Sequence, residues 1–256
     1  MTIEALLFDV DGTLADTEER HREAFNAAFR DHGLPYSWEP DEYRALLRVP
    51  GGKERLAHYF EGKGLGTVET VRLLRVIPEL HRTKTKRYEA LVAAGSVPLL
   101  PGVARLIRAA WEAQIPVGIA TTTTAANVHA LLRAGLGEGA VDRFAVIASG
   151  DMVQAKKPAP DIYLLALWRL GLGPERVVAF EDSLPGLTAA QAAGLFTVVT
   201  PTVWADGDDL GAADLLLPHL GDPERPLEAE AARRAGGAYV SLAGLEALRE
   251  RRKRTA

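Results

Sequence analysis

The chain has 256 residues, 47% hydrophobic and 25% charged, with a formal charge of -4 and no cysteine. That length suits one α/β domain with an insertion, or two small domains, and the mild acidity argues against broad electrostatic capture of nucleic acid or anionic membrane. Without cysteine there is no thiol catalysis, disulfide or thiolate metal site. No apolar run approaches the roughly 18 residues of a membrane span, and no basic, then apolar leader opens the chain, so the expectation is a soluble cytoplasmic protein acting as a monomer.

The first strand is read from Ala5 to Asp9, an apolar run that ends in acid. From Thr17 to about Ala94 the pattern turns helical. Glu18, His21, Phe25 and Phe29 share one helix face, and Gly33 is placed to stop that helix. Further helices are predicted from Asp41, from Gly52 and from Val68, the last broken or kinked at Pro78. From Val97 the text alternates strand and helix: strand Ile115 to Ala120, helix Ala125 to Ala134 ending at Gly135, strand Phe144 to Ala148, helix Pro160 to Leu170. Strand Val177 to Phe180, helix Leu187 to Ala193 and strand Phe196 to Val199 follow, with Leu215 to Leu217 as a short edge strand. Buried β-runs separated by helices specify a doubly wound parallel sheet, a Rossmann-like α/β core. The helical block is then an insertion after the first strand. The predicted division is a core of residues 1–16 and 95–256 and an α-helical cap of residues 17–94. A looser Pro/Glu/Ala-rich region follows Gly221, and the basic end from Arg249 to Arg254 reads as a solvated helix end whose cations suit the helix dipole.

In an open parallel sheet the ligand site lies beyond the carboxyl ends of the strands, and four polar signals fall there. Asp9 and Asp11 are two apart, so both can reach one point beyond the strand edge. Such a pair can hold a hard cation, or supply a nucleophile beside a general acid/base. The hydroxyl run Thr121 to Thr124 opens a helix after a strand, where hydroxyl and backbone N–H groups suit a phosphate. Lys157 precedes the next helix, and Glu181-Asp182 follow the strand Val177 to Phe180. Each signal alone is a common cap or turn; their order and placement together point to one centre.

The constellation resembles the haloacid dehalogenase superfamily, through the texts Asp9-Val10-Asp11-Gly12-Thr13-Leu14, Lys157-Pro158-Ala159-Pro160-Asp161 and Glu181-Asp182-Ser183-Leu184-Pro185-Gly186-Leu187. The resemblance spans nearly the whole chain, and the helical block looks like that family's mobile cap. It implies a phosphohydrolase in which Asp9 is phosphorylated and Asp11 protonates the leaving oxygen, then activates water. It also implies Mg²⁺ held by the Asp9 carboxylate, the Asp11 backbone carbonyl and Asp182, with Glu181 supporting a coordinated water, and a phosphate held by Thr121 and Lys157. True dehalogenases need no acid two residues after the nucleophile, so Asp11 separates this chain from them. The physical logic agrees, since two anions meet only with cations to screen them.

Substrate identity must then come from the cap. Glu18 and His21 lie near the hinge around Asp16 and Thr17, while Gly51-Gly52-Lys53-Glu54-Arg55 opens a helix with basic side chains that suit a second, non-transferring phosphate. Thr122 is a further candidate contact. Glu18, His21 and the Gly-Gly-Lys-Glu-Arg stretch resemble the CbbY-type phosphatases of the superfamily, which implies a phosphorylated sugar as partner, xylulose-1,5-bisphosphate, an inhibitor of Rubisco in the Calvin cycle. The rivals weighed against it are a β-phosphoglucomutase-like enzyme, a phosphoglycolate phosphatase and, from another class, a non-enzymatic phosphate-acceptor receiver.

Overall fold

A computed structural model describes residues 2–95 and 97–255. Its centre is a six-stranded, all-parallel sheet in the order β3-β2-β1-β4-β5-β6. The strands are β1 (Ala5–Phe8), β2 (Val117–Ala120), β3 (Val146–Ala148), β4 (Val177–Glu181), β5 (Phe196–Val199) and β6 (Leu215–Leu216). Alternate side chains leave opposite faces. In β1, Leu6 and Phe8 enter one apolar cluster while Ala5 and Leu7 enter the other, which is why the run reads as continuously hydrophobic.

Helices cover both faces. The inserted block supplies α1 (Glu18–Asp31), α2 (Pro40–Leu46), α3 (Gly52–Glu61) and α4 (Thr67–Ala93). The remaining helices belong to the core: α5 (Val103–Glu112), α6 (Ala125–Leu136), α7 (Asp161–Leu170), α8 (Leu184–Ala192), α9 (Ala229–Ala235) and α10 (Leu242–Thr255). Residues of α5, α6, α9 and α10 share the cluster of Leu6 and Phe8, and those of α7 and α8 share the cluster of Ala5 and Leu7. The inserted helices close around a third, separate cluster rich in aromatics, including Phe25, Phe29, Trp38, Tyr43 and Phe60. The doubly wound core with an inserted helical cap is therefore the observed architecture. Among the described residues no helix is long and apolar enough to cross a membrane.

Several local expectations need correction. β1 ends at Phe8, leaving Asp9 just past the sheet. Pro78 does not break α4; it sits on the exposed face, where solvent can take the carbonyl that loses its amide partner, while Ile77 and Leu80 are buried on either side. Gly135 lies inside α6, and Gly137 ends it, at φ +102°. A Cβ on Gly135 would lie 2.7 Å from Leu99 Cγ, so that glycine serves close packing rather than termination. Helix α5 went unpredicted, although Val103, Leu106, Ile107 and Ala110 show the helical spacing and are buried. The region after Gly221 is folded, carrying α9 and α10, and Arg249 within its basic run is buried rather than solvated. The side chains of Lys253 and Arg254 lie outside the described residues.

Candidate active site

The order of strands reverses between β1 and β4, and the register sets Phe8 opposite Ile119 on one side and Phe180 on the other. The Phe8 and Phe180 rings stack at 4.3 Å, a contact worth about 1 kcal/mol beyond its burial. Whatever follows these strands must converge at the switch point. Asp9 N donates to Phe180 O at 3.0 Å, tying the first loop to β4. Gly12 makes the turn at φ +84°, and a Cβ there would lie 2.0 Å from Asp182 Oδ2. Only glycine lets the backbone pass so near that carboxylate.

The centre holds a buried cation among carboxylates. Lys157 Nζ donates to Asp9 Oδ1 at 2.5 Å and to Glu181 Oε1 at 2.6 Å, and the Tyr163 hydroxyl donates to the same Glu181 oxygen. Glu181 Oε2 is buried with no hydrogen-bond partner. Asp9, Glu181 and Asp182 each place a carboxylate oxygen within 4.8 Å of the others. Burial, only partly countered by Lys157, pushes Asp9 up to about 7, helped by the like charges of Glu181 and Asp11. Burial beside Asp9 and Glu181 raises Asp182 well above the ordinary carboxylate range. Burial alone would lower Lys157, but the charges of Asp9 and Glu181 outweigh it and raise the ammonium further. Three clustered carboxylates with one orphaned oxygen and too little positive charge fit a hard divalent cation.

Asp11 stands apart from that trio. Its Oδ1 accepts from Thr17 Oγ1 at 2.6 Å and lies 2.7 Å from His21 Nε2. Burial opposes its charge, yet His21, Thr17 and Lys84 outweigh that and hold the carboxyl well below its usual range. Lys84 Nζ reaches His21 Nδ1 at 2.6 Å. An ammonium donating to Nδ1 leaves the ring proton on Nε2, directed at Asp11. His21 also stacks on Tyr88, with ring centroids 4.1 Å apart. Burial pushes Lys84 down to about 8.

A cavity of about 800 Å³ opens between core and cap, and every catalytic, metal-binding or substrate-binding candidate read from the sequence lines it. Thr121 is buried at the end of β2, its Oγ1 accepting from Thr123 N at 3.3 Å, while Thr122 borders the cavity beside it. The cap residues are less uniform than their sequence implied. Glu18 accepts from the Tyr43 hydroxyl at 2.7 Å. Gly51, at φ +90°, precedes α3, and Gly52 opens it against His81, whose Nε2 would lie 2.4 Å from an added Cβ. Lys53 is ion-paired across the cavity with Asp151 of the core at 2.8 Å. Arg55, expected to meet a phosphate, is buried, with its guanidinium on Leu46 O, Val49 O and the Tyr43 hydroxyl at 3.2, 3.3 and 3.0 Å. That is the geometry of an anchor. Sequence reasoning missed Lys84, Tyr43 and Tyr163, which carry no motif of their own.

Residues 3–194 match the haloacid dehalogenase-like hydrolase family. The chain belongs to that family, and as an enzyme it is a phosphoric monoester hydrolase. It is 52% identical over 220 residues to protein CbbY of Rhodobacter capsulatus, covering 86% of this chain and 95% of the relative. It is likewise similar to the crystal structure of CbbY from Rhodobacter sphaeroides in complex with phosphate, with a TM-score of 0.79, 48% identity, and coverage of 85% of this chain and 95% of that one. A mutant of the same protein in complex with xylulose-1,5-bisphosphate gives a TM-score of 0.78 at 48% identity, again over 85% of this chain and 95% of that one.

Proposed function

We propose that the protein removes a phosphate from xylulose-1,5-bisphosphate with the help of Mg²⁺, passing through a phosphate ester on Asp9. The observation that carries this reading is the pairing of a lysine-held carboxylate, Asp9, with a second carboxylate, Asp11, whose partners are wholly different. Asp9 Oδ attacks phosphorus while the bond from phosphorus to the sugar oxygen breaks, and Asp11 delivers a proton to that oxygen. Water then attacks phosphorus, the Asp9 ester bond breaks, and Asp11 takes the proton back. At rest His21 and Thr17 hold Asp11 ionised; the doubly negative phosphate beside it raises its proton affinity, as a like charge must, so Asp11 takes up a proton from solvent as the substrate binds, and this is the proton it delivers. Lys157 and the hydroxyl of Thr121 would hold the transferring phosphate. Mg²⁺ would be held by Asp9, the Asp11 carbonyl and Asp182, with Glu181 behind them, and it supplies charge neutralisation when bound.

Residues 17–94 act as the cap over residues 1–16 and 95–256. Glu18 and His21 at its hinge side, and Lys53 at the glycine-led start of α3, face the remainder of the sugar phosphate; Arg55 shapes this wall through Tyr43. The size of the cavity supports a bisphosphorylated pentose, and so does the ligand of the mutant CbbY complex. The test is phosphate release from xylulose-1,5-bisphosphate against ribulose-1,5-bisphosphate, β-glucose-1,6-bisphosphate and phosphoglycolate, with Mg²⁺ and with chelator. The expected result is a kcat/KM for the xylulose ester at least about tenfold above the others, lost on chelation. A preference for another ester, or an isomerised bisphosphate in place of free phosphate, would overturn the reading.

A further inference from the structure

After β5 the chain turns through Pro201 and Thr202 into a short helical turn, Val203–Ala205. Thr202 Oγ1 accepts from Trp204 N at 3.3 Å, which fixes the turn, and Trp204 is left half-buried while its neighbour Val203 is 67% exposed. Trp204 belongs to the core by sequence, yet it packs on the aromatic cluster of the cap. Every other member of that cluster among the described residues lies between Phe25 and Leu80. Its ring meets Tyr43 edge-on, with centroids 5.8 Å apart at 86°, and the Arg44 guanidinium sits 5.8 Å from its centre. Trp204, Arg44 and Glu18 all line the cavity.

Tyr43 is fully buried, and its hydroxyl is committed twice, donating to Glu18 Oε2 at 2.7 Å and accepting from Arg55 Nη1 at 3.0 Å. The ring that Trp204 touches is therefore the ring that aims Glu18. Two further bridges between cap and core near the cavity mouth are ionic, Lys53 with Asp151 at 2.8 Å and Lys156 with Glu54 at 4.0 Å. The Lys53–Asp151 pair is exposed, and exposed pairs contribute little. An aromatic contact made only when cap and core meet is a better sensor of closure than a screened ion pair. We infer that Trp204 is a positioning residue for substrate selection: by docking on Tyr43 and Arg44 it fixes Glu18 and Arg44 against the non-transferring part of the phosphorylated sugar once the cap has closed.

This inference rests on the phosphatase reading only in taking the cavity as the substrate site. Trp204→Ala, Trp204→Phe and Tyr43→Phe are compared with the unaltered enzyme on xylulose-1,5-bisphosphate and on p-nitrophenyl phosphate, which is too small to span the cavity. Trp204→Ala should raise KM for the bisphosphate about tenfold or more, with kcat/KM for the aryl phosphate within about twofold. Trp204→Phe, which keeps an aromatic face, should restore most of the loss. Tyr43→Phe keeps the ring but frees Glu18, and should reproduce the rise in KM. An equal loss on both substrates, an unchanged KM in Trp204→Ala, or no rise in Tyr43→Phe overturns the inference. If the unaltered enzyme does not hydrolyse xylulose-1,5-bisphosphate, the substrate reading fails by itself, and the same comparison is run on whichever phosphosugar it hydrolyses best.

Discussion

Gly186 separates backbone preference from active-site geometry in one substitution. It sits in the first turn of α8, where alanine should gain up to about 1 kcal/mol in helix propensity. A Cβ there, however, would lie 1.9 Å from Glu181 Oε2 and 2.2 Å from Glu181 Cδ. Glu181 is 1% exposed, and its other oxygen is held by Lys157 at 2.6 Å and by Tyr163. To admit the methyl group the carboxylate must turn away. Losing one charge-assisted hydrogen bond costs about 1.5–3 kcal/mol, and the Tyr163 contact loosens with it. The net expectation for Gly186→Ala is a destabilisation of about 1–4 kcal/mol. At roughly 2–4 °C per kcal/mol for a chain of this size, the melting temperature should fall by about 2–16 °C. Because Glu181 backs the proposed cation site, the Mg²⁺ concentration for half-maximal phosphate release should rise about 10–100-fold. Thermal melts and a Mg²⁺ titration of phosphate release read both effects. A melting temperature at or above that of the unaltered protein, with unchanged Mg²⁺ demand, would show that Glu181 does not stand over Gly186 and refute the reasoning.

Three further outcomes follow from the site. Asp9→Asn should abolish turnover while the circular dichroism and cooperative melt remain, since it removes the nucleophile and keeps the side-chain shape; measurable turnover would sink the mechanism. Asp11→Ala should slow release of a poor alcohol leaving group about 100-fold more than release of p-nitrophenolate, which needs little protonation, and equal losses would count against its role as acid. Lys84→Met removes an ammonium whose pKa burial pushes down to about 8 from 10.5. The unfolded chain binds the extra proton between pH 8 and 10.5, so stability of the unaltered protein rises with pH through that window, and the full penalty, up to about 3 kcal/mol, applies below it. The variant should melt higher near pH 7, with an advantage that shrinks towards pH 10 in paired melts. A pH-independent difference would refute burial as the cause.

The core centre was legible because strand ends are the one place where sequence order and spatial order coincide. Asp9, Thr121 and Glu181 each close a short apolar run, and parallel register does the rest; Lys157 stands in the loop after β3, just before the next helix. The cap was legible as helices but not as chemistry. Arg55 follows a glycine pair just as a phosphate ligand would, and only the fold shows that Leu46 and Val49 carbonyls take its donors. Lys84 sits on a long helix whose pattern marks it as neither core nor site, because a buried lysine has the sequence signature of a solvated one. Helix α5 had the right periodicity and needed only to be counted. Gly135 looked like a helix end because a glycine that permits close packing and one that permits positive φ are the same letter.

The two carboxylates proposed as nucleophile and acid answer to different parts of the molecule. Asp9 is governed from the core, by Lys157 and Glu181, at the carboxyl edge of the sheet. The hydrogen-bond partners of the Asp11 side chain are Thr17 and His21, and Lys84 stands behind His21; all three belong to the hinge or to the inserted helices. A cap displaced on α1 and α4 would therefore leave the surroundings of Asp9 intact while changing the proton affinity of Asp11. Its own wall, Glu18 through Tyr43, meets the core at Trp204. On the proposed mechanism, selection of the sugar and protonation of its leaving oxygen would depend on the same helices, so a substrate that fails to hold the cap in place would lose the acid as well as its binding contacts. Such coupling would let a phosphoryl-transfer centre with no selectivity of its own wait for one substrate.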